Sequence, residues 1–243
     1  MRVHRLHTDL GLEPDTEVVL EGAPAHYLGR VLRVVPGQTV TLFNGDGHDY
    51  VAEVLGPGKN SMALAVRCRL PAVREPELQI TVAQAVSRGE RMDQTLQKCT
   101  ELGAAAFQPV FSERVEVRLS GSKLKRRLDH WQGVVVAACE QSGRAVVPQV
   151  RPALDLADWL PAGAAGQRLV MHPSAGLPLA RIEPVAQIEL LVGPEGGFSD
   201  LELERLGDSG VQAVRLGPRT LRTETAAAAA LAVLQAMFGD LGA

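Results

Sequence analysis

The first seventy residues alternate apolar and polar side chains over short runs that turn residues separate. Four runs are typical of β-strands, and they cover residues 18–20, 39–43, 49–54 and 62–68. The sequence Asn44-Gly45-Asp46-Gly47 separates the second run from the third and favours a hairpin. One predicted helix, residues 26–34, interrupts the strands. This pattern is typical of a small β-barrel-like domain.

A stretch with two prolines, from Pro71 to Pro76, introduces a different pattern. Each proline biases its predecessor toward extended backbone, which predicts a linker over residues 71–77. Beyond it, apolar strands alternate with longer helices, as in parallel α/β domains. The predicted strands are 78–85, 105–110, 168–171, 188–192 and 213–216, and the predicted helices are 90–102, 123–142 and 223–238. The sequence therefore predicts two domains, over residues 1–70 and 78–243.

The two longest predicted helices carry continuous apolar seams, and a further helix has a clear start. One seam consists of Leu124, Leu128, Trp131, Val135 and Ala138, and the other of Ala227, Leu231, Leu234 and Phe238. Such a seam packs either into the protein's own core or against a second subunit, and both readings stay open. Ser199 and Glu202 match a capping box, which predicts that a helix begins directly behind Gly196 and Gly197.

Composition and charge limit the class of protein. The chain has 243 residues, 46% of them hydrophobic, and a net charge of -3, which is ordinary for a globular protein. It has neither a run of about 18 apolar residues nor a signal peptide, so we expect a cytosolic protein that does not enter a membrane. Residues 117–128 are basic and residues 183–208 are acidic, which predicts oppositely charged faces.

Neither a metal site nor a disulfide framework is indicated. Cys68, Cys99 and Cys139 are widely separated, and no Cys-x-x-Cys spacing occurs. His4 and His7 are close in sequence, but no second pair of ligands at metal spacing accompanies them. We therefore expect no structural metal, and we expect the cysteines to be buried small hydrophobic residues.

Two glycine-containing loops in the last fifty residues carry the strongest functional signal. Gly193-Pro194-Glu195-Gly196-Gly197 follows one predicted strand, and Leu216-Gly217-Pro218-Arg219-Thr220-Leu221-Arg222 follows another. Neither matches the Walker A or the dinucleotide-binding pattern, which disfavours ATP and NAD. Ligands of open α/β sheets bind at the carboxyl ends of strands, so two such loops predict a ligand cradle.

Together these loops resemble the signature of RsmE-type methyltransferases, a family of the SPOUT superfamily. The resemblance spans nearly the whole chain and is strongest from Leu191 to Ala226. It implies an N-terminal PUA-like RNA-binding domain and a C-terminal α/β domain with a parallel sheet and a trefoil knot. It also implies a homodimer that uses S-adenosylmethionine to methylate N3 of a uridine in small-subunit (16S) ribosomal RNA, free or in the 30S particle.

The resemblance also assigns roles to residues of this chain. Arg222 is the expected stabiliser of the developing charge on the base, and Glu224 is a weaker candidate for the general base. Arg30 and Arg33, three residues apart on the predicted helix 26–34, are expected to share a face and contact RNA, together with Arg114, Gln141 and Arg144. The expected cofactor-binding residues come from three loops: Met171, His172, Pro173, Gly193, Glu195, Gly196, Gly197, Leu216, Gly217, Arg219 and Leu221.

The chain departs from the pattern of the family at two places, and two alternative functions stay open. Ser87-Arg88-Gly89 stands where relatives often have a lysine before the glycine, which puts an RNA contact in doubt, and Thr220 stands where an aliphatic residue is expected. One alternative function is a SPOUT enzyme that acts on another RNA or another atom, because the cofactor loops bind the methyl donor and not the acceptor. The other is an RNA-binding or ribosome-assembly factor without catalytic activity.

Overall fold

The computed structural model describes residues 4–161 and 166–242. These residues form two compact units. The first contains the chain up to Glu75 together with Cys139–Val147, and the second contains Pro76–Ala138 and the chain from Pro148 onward. No local pattern in the sequence predicts that a segment near residue 140 belongs with the N-terminal strands.

The first unit is a five-stranded sheet that curls around one apolar core. Its strands are β1 (Arg5–His7), β2 (Thr16–Glu21), β3 (Thr39–Phe43), β4 (Tyr50–Pro57) and β5 (Ser61–Arg69), in the order β1-β3-β4-β5-β2. All pairs are antiparallel except β1 with β3. Every strand, the two edge strands included, contributes buried side chains to a single cluster. The hairpin predicted at Asn44 connects β3 with β4. The short strand β1 was not predicted.

The predicted helix 26–34 is shifted and shorter in the structure. An α-helix, α1 (Gly22–His26), leads into a π-helical turn, Tyr27–Val31. Pro24 lies in the first turn of α1, where its missing N–H costs no hydrogen bond. The prediction that Arg30 and Arg33 share a helix face is wrong. Arg33 lies beyond the turn in a left-handed conformation, with a φ of 54°, so its backbone no longer follows the helix.

Arg5 is the polar centre of the first unit. Its guanidinium forms an ion pair with Asp49 at 2.7 Å and stacks 3.8 Å from the centre of the Phe43 ring. It also donates hydrogen bonds to the backbone carbonyls of Cys139, at 2.6 Å, and of Arg144, at 2.8 Å. One buried cation therefore satisfies a carboxylate and two carbonyls, which explains why Cys139–Val147 belongs to this unit.

The second unit is an eight-stranded sheet in which all strand pairs are parallel. Its strands are β6 (Gln79–Ala85), β7 (Ala106–Phe111), β8 (Gln149–Val150), β9 (Leu154–Asp155), β10 (Gln167–Met171), β11 (Leu177–Pro178), β12 (Gln187–Val192) and β13 (Gln212–Arg215). The order is β11-β13-β10-β12-β6-β7-β8, and β9 also pairs with β7. The five longer strands match the predicted ones to within a residue or two. The two-residue strands carry too little pattern to be recognised in the sequence.

The helices follow the strands as expected for a parallel α/β fold. They are α2 (Arg91–Glu101), α3 (Gly121–Ser142), α4 (Leu156–Trp159), α5 (Asp200–Asp208) and α6 (Thr223–Phe238), with a 3₁₀ turn at Leu179–Arg181. Of the two apolar seams, the α6 residues Ala227, Leu231 and Leu234 and the α3 residues Trp131 and Val135 are buried within the chain. None of the helices in the described part of the chain is long and apolar enough to span a membrane.

Arg168 stabilises the turn that ends α4. Its guanidinium lies 3.6 Å from the centre of the Trp159 ring and donates hydrogen bonds to the carbonyls of Trp159, at 2.9 Å, and Leu160, at 2.7 Å. An ion pair with Glu189 at 3.2 Å balances its charge. Burial lowers the pKa of Arg168, and Glu189 works against this shift. The carbonyls that the short helix leaves without intrahelical partners are thereby satisfied.

The cysteines differ in burial, which predicts their reactivity. Cys99 and Cys139 are buried, whereas Cys68 is exposed, so the expectation that all three are buried is wrong for Cys68. Burial raises the pKa of the Cys139 thiol to about 11 and raises that of Cys99 even further.

Because the thiolate is the reactive form, we expect one thiol per native chain to react with an aromatic disulfide reagent at neutral pH. All three should react in guanidinium, and Cys68→Ala should abolish the native reaction; a second native thiol that reacts at a similar rate would contradict this.

Candidate active site

Three loops meet at one edge of the parallel sheet. They follow β10, β12 and β13, which are neighbours in the order β13-β10-β12 and run in the same direction. Their carboxyl ends therefore lie side by side, and the loops enclose a cavity of about 680 Å³. Main-chain hydrogen bonds connect the loops to the sheet, as where the N–H of His172 donates to the carbonyl of Val214 at 2.9 Å.

The structure brings nearly all of the predicted cofactor residues to this cavity. Gly196 is the exception: it does not line the cavity, and a Cβ atom on it would come within 3.2 Å of the Arg114 side chain. Both predicted catalytic residues, Arg222 and Glu224, also line the cavity. The predicted cofactor residues that line it are Met171, His172, Pro173, Gly193, Glu195, Gly197, Leu216, Gly217, Arg219 and Leu221.

Glycine is required in the loop after β12 for two different reasons. At Gly193 a Cβ atom would lie 2.9 Å from the Phe198 ring, so the aromatic side chain fills the space that a larger residue would need. At Gly197 the space is open, but the φ of 67° lies in the left-handed region that other residues avoid. The loop can therefore fold back over Phe198 and still lead directly into α5.

Hydrogen bonds to neighbouring segments fix this loop. Ser199 and Glu202 form the predicted capping box at the start of α5. The Glu202 carboxylate also accepts a hydrogen bond from the backbone N–H of Glu113 at 2.7 Å, and Arg114 donates to the carbonyl of Gly196 at 3.2 Å. The segment after β7 therefore supports the loop, and its Arg114 also lines the cavity.

Thr223 joins three segments at the floor of the site. Its hydroxyl donates a hydrogen bond to the carbonyl of Gly193 at 2.7 Å and accepts one from the side-chain amide of Gln84 at 2.8 Å. Thr223 is the first residue of α6, Gln84 lies near the end of β6, and Gly193 directly follows β12. Both polar side chains are buried. This hydroxyl therefore connects the start of α6 to the ends of two neighbouring strands.

An ion pair orients Glu195 at the wall of the cavity. Arg91, at the start of α2, donates a hydrogen bond to the Glu195 carboxylate at 2.6 Å, and the backbone N–H of Arg88 donates to the same oxygen at 3.2 Å. Burial tends to raise the pKa of Glu195, but these hydrogen bonds outweigh it and hold the pKa below its usual value. The bond to Glu195 also raises the pKa of Arg91. Both groups are therefore charged at neutral pH.

The two predicted catalytic residues have different environments. Arg222 is exposed at the N-terminus of α6 and forms no side-chain hydrogen bond or ion pair with the described residues. Glu224 is partly buried, and its Oε2 atom is inaccessible to solvent and has no hydrogen-bond partner in the described chain. A carboxylate oxygen in this state is a strong acceptor without a donor. The site therefore combines a free cation with an unmatched acceptor.

The predicted RNA-binding residues are not gathered in one place. Arg114 lines the cavity described above. Arg30 lines a separate groove in the first unit, and Arg33 and Gln141 are exposed elsewhere on that unit. The Arg144 side chain is only 11% exposed and forms an ion pair with Glu75. That pairing supports a structural role for Arg144 within the first unit.

Sequence reasoning missed several residues of the site. Arg91, Phe198 and Thr223 were not selected, although all three line the cavity. An arginine at the start of a helix and a threonine beside a predicted helix start are common on protein surfaces, so neither gave a local signal. Phe198 directly follows the glycine pair. A large apolar side chain at this position indicates that the loop packs against it. In the described part of the chain, no group of three or more His, Cys, Asp or Glu residues could hold a metal ion.

Removal of the Thr223 hydroxyl tests the connection at the floor of the site. Thr223→Val keeps the shape of the side chain but leaves the Gly193 carbonyl without its donor, so we expect a loss of about 1–3 kcal/mol in the free energy of unfolding. Urea denaturation measures this loss. Thr223→Ser keeps the hydroxyl and should be less destabilising; equal losses in the two variants would show that the hydroxyl does not matter.

Comparisons with known proteins agree with this architecture. The family model described as an RNA methyltransferase domain matches residues 74–235, and the model described as an RNA methyltransferase PUA domain matches residues 20–66. Ribosomal RNA small subunit methyltransferase E from Buchnera aphidicola is 30% identical over 99% of this chain and 98% of its own length. The Mycobacterium bovis protein of the same name is 36% identical over 90% of this chain and 86% of its length.

Solved structures give the same result. Ribosomal RNA small subunit methyltransferase E from Neisseria gonorrhoeae, bound to S-adenosyl methionine, is 39% identical and superimposes with a TM-score of 0.94 over 98% of this chain and 99% of that chain. A Legionella pneumophila structure described as a methyltransferase in complex with the cofactor SAM is 35% identical, with a TM-score of 0.95 over 99% of this chain and 100% of that chain. This chain therefore belongs to the RNA methyltransferase family that contains ribosomal RNA small subunit methyltransferase E.

Proposed function

We propose that this protein is an S-adenosylmethionine-dependent methyltransferase that methylates N3 of a uridine in 16S ribosomal RNA. The observation that carries the proposal is the cavity at the ends of β10, β12 and β13, which is lined by the exposed Arg222 and the partly buried Glu224. Family membership supports the reaction and the class of RNA. The N3 position follows from the resemblance and from the chemistry of these two side chains.

The cavity suits the proposed cofactor in size and lining. A volume of about 680 Å³ lies within the range of small-molecule sites. Leu216, Leu221 and Ala226 provide apolar surface for an aromatic ring, and the backbone of the loop at Gly193 can approach a ligand closely because its side chain is a hydrogen atom. These loops would hold the cofactor, and Glu195 is kept in place by Arg91 instead of turning freely into the cavity.

The methyl donor supplies an activated methyl group. The residues of this chain stabilise the charge on the acceptor base and remove its proton. Loss of the N3 proton leaves negative charge on the two carbonyl oxygens beside N3, and Arg222 is free to donate hydrogen bonds to them. Glu224 is the carboxylate that we assign to accept the proton, since it lines the cavity and forms no ion pair with the described residues. The remaining requirement is close approach and alignment of the two reactants, which the fixed loops provide.

A groove in the first unit provides a surface for RNA. It has a volume of about 920 Å³, and its lining includes His26, Tyr27, Arg30 and Lys59 but no acidic residue. Tyr27 is 43% exposed beside the π-helical turn, so its ring is available for a base to stack on. Arg30 and Lys59 can contact phosphates on either side. This groove, and not a shared helix face of Arg30 and Arg33, is the surface we assign to RNA.

Homodimerisation and the trefoil knot remain part of the proposal. The core residues of the α3 and α6 seams are buried within the chain, so a second subunit would have to use other surfaces, such as the half-buried Leu124 and Leu128 at the start of α3. Light scattering combined with size-exclusion chromatography measures the oligomeric state directly.

Methyl transfer from tritiated S-adenosylmethionine tests the function. The substrate is 16S RNA, free or in 30S particles, from a strain that lacks this gene, and mass spectrometry identifies the modified nucleoside. We expect 3-methyluridine. Another methylated nucleoside, or label in another RNA, would indicate a different acceptor. Tight RNA binding without transfer would indicate an assembly factor.

Substitution of Arg222 separates catalysis from cofactor binding. Arg222→Ala removes a donor that acts on the transition state, so we expect turnover to fall about a hundredfold or more. Calorimetry should find the affinity for S-adenosylmethionine nearly unchanged, because Arg222 lies at the rim of the cavity. Arg205→Ala, an exposed arginine of α5 that does not line the cavity, serves as the matched control. An unaltered rate for Arg222→Ala would remove this residue from the chemistry.

The groove of the first unit makes a separate prediction about RNA affinity. Tyr27→Ala should weaken binding of a 16S RNA fragment by about 1–3 kcal/mol, the value of one stacked base. Lys59→Ala should remove one phosphate contact, so the slope of log affinity against log salt concentration should become shallower by about one. Filter binding at several salt concentrations measures both effects. Arg67→Ala changes an arginine of the same unit that is paired with Glu53 outside the groove, and it should bind RNA as the unsubstituted protein does.

A further inference from the structure

A second, polar cavity adjoins the cofactor cavity. It has a volume of about 480 Å³ and lies where the start of α2 meets the start of α6. Arg91, Arg222 and Glu224 line both cavities, so these three residues form the boundary between them. A group bound in the polar cavity would therefore meet the cofactor cavity across the two predicted catalytic side chains.

Three of the six charged side chains that line the polar cavity are already paired. Arg91 is bonded to Glu195 at 2.6 Å, and Arg88 forms an ion pair with Glu116 at 3.4 Å. The side chains of Arg222 and Gln94, and the Oε2 atom of Glu224, have no partner in the part of the chain that the structure describes. Gln94 is exposed in the first turn of α2 and has no role in the function proposed above. The cavity thus presents one cation, one amide and two carboxylates, those of Glu90 and Glu224, without side-chain partners among the described residues. Of the two carboxylates, only that of Glu224 also lines the cofactor cavity.

We propose that the polar cavity binds the acceptor base, and that Gln94 is a substrate-binding residue whose side-chain amide donates a hydrogen bond to one of the two carbonyl oxygens beside N3. Arg222 binds the other carbonyl oxygen, and Glu224 accepts the proton of N3. The inference rests on the proposed function, because it identifies the acceptor subsite of that reaction. The base must leave the RNA stack to enter the cavity, as in other enzymes that act on a nucleobase.

The side chains of Arg222, Gln94 and Glu224 together match the edge of uracil. That edge presents an acceptor, a donor and an acceptor in sequence, whereas cytosine has an amino group in place of one carbonyl and no proton on N3. Arg222 can only donate, and ionised Glu224 can only accept. With cytosine, the Glu224 carboxylate would face the N3 lone pair and at least one hydrogen bond would be lost. The cavity therefore favours uracil through Glu224 at N3, and Arg222 adds to this preference where it faces the carbonyl oxygen that cytosine replaces with an amino group.

The proposed arrangement gives a balanced transfer. The N3–H bond breaks and its proton passes to the Glu224 carboxylate, which leaves the electron pair on N3. That pair forms the new bond to the methyl carbon as the bond between this carbon and sulfur breaks, and the sulfur keeps the electrons of the broken bond. The carbonyl oxygens carry the transient negative charge of the base, where Arg222 and Gln94 donate hydrogen bonds.

Two substitutions of Gln94 test the subsite by activity. Gln94→Ala removes one neutral hydrogen bond, so we expect kcat/KM for the RNA to fall roughly tenfold. Gln94→Glu places a carboxylate against a carbonyl oxygen and should lower it further than Gln94→Ala does. Calorimetry should find the affinity for S-adenosylmethionine unchanged in both. Gln97→Ala, an exposed glutamine of the same helix outside both cavities, should act as the unsubstituted protein does.

A binding measurement tests the subsite without any transfer. In the presence of S-adenosylhomocysteine, uridine 5′-monophosphate should shift the NMR signal of the Gln94 side-chain amide, assigned through Gln94→Ala, and cytidine 5′-monophosphate should shift it less. The Gln97 amide should not move. If methyl transfer occurs, but Gln94→Ala and Gln97→Ala have the same kcat/KM and neither nucleotide shifts the signal, then the proposed subsite is wrong and the proposed function stands. If uridine monophosphate shifts the signal but no RNA is methylated, the subsite stands and the proposed function fails.

Discussion

The hydroxyl group of Thr223 is the interaction on which the geometry of the site depends most directly. It satisfies the carbonyl of Gly193, at the start of the glycine loop, and accepts a hydrogen bond from Gln84, near the end of β6. Because the side chains of Thr223 and Gln84 are buried, they cannot exchange these bonds for bonds to water without cost. The position of α6, and with it the position of Arg222 and Glu224, is therefore fixed relative to the loops that enclose the cavity.

The two cavities differ in the residues that line them. The larger one is built from loop backbone and apolar side chains and suits a ligand recognised by shape and main-chain hydrogen bonds. The smaller one is lined by charged and amide side chains. Arg91 stands between them and is neutralised by Glu195, so it adds little net charge at the boundary. Arg222 and Glu224 are the groups at that boundary to which the proposed function assigns the chemistry.

Local signals explain which elements the sequence predicted well. The helix predicted over 223–238 has the bounds of α6, because alanine has the highest helix propensity and the apolar seam has the helical period. Ser199 and Glu202 form the capping box that their spacing indicated. The helix near Arg30 was misplaced because a π-helical turn and the left-handed backbone of Arg33 end it early. These conformations depend on packing against the rest of the unit and leave no period in the sequence.

By itself, the sequence determined that an N-terminal β-rich region precedes a parallel α/β region, and that glycine loops follow two of its strands. Both conclusions rest on patterns within a few residues, where backbone preference and side-chain period act directly. Only the tertiary structure decided that Thr223 supports Gly193, that Arg91 holds Glu195, and that Gly196 packs against Arg114 and does not line the cavity. These contacts join residues 30 to 104 positions apart, and no local pattern can specify which distant side chain meets which loop.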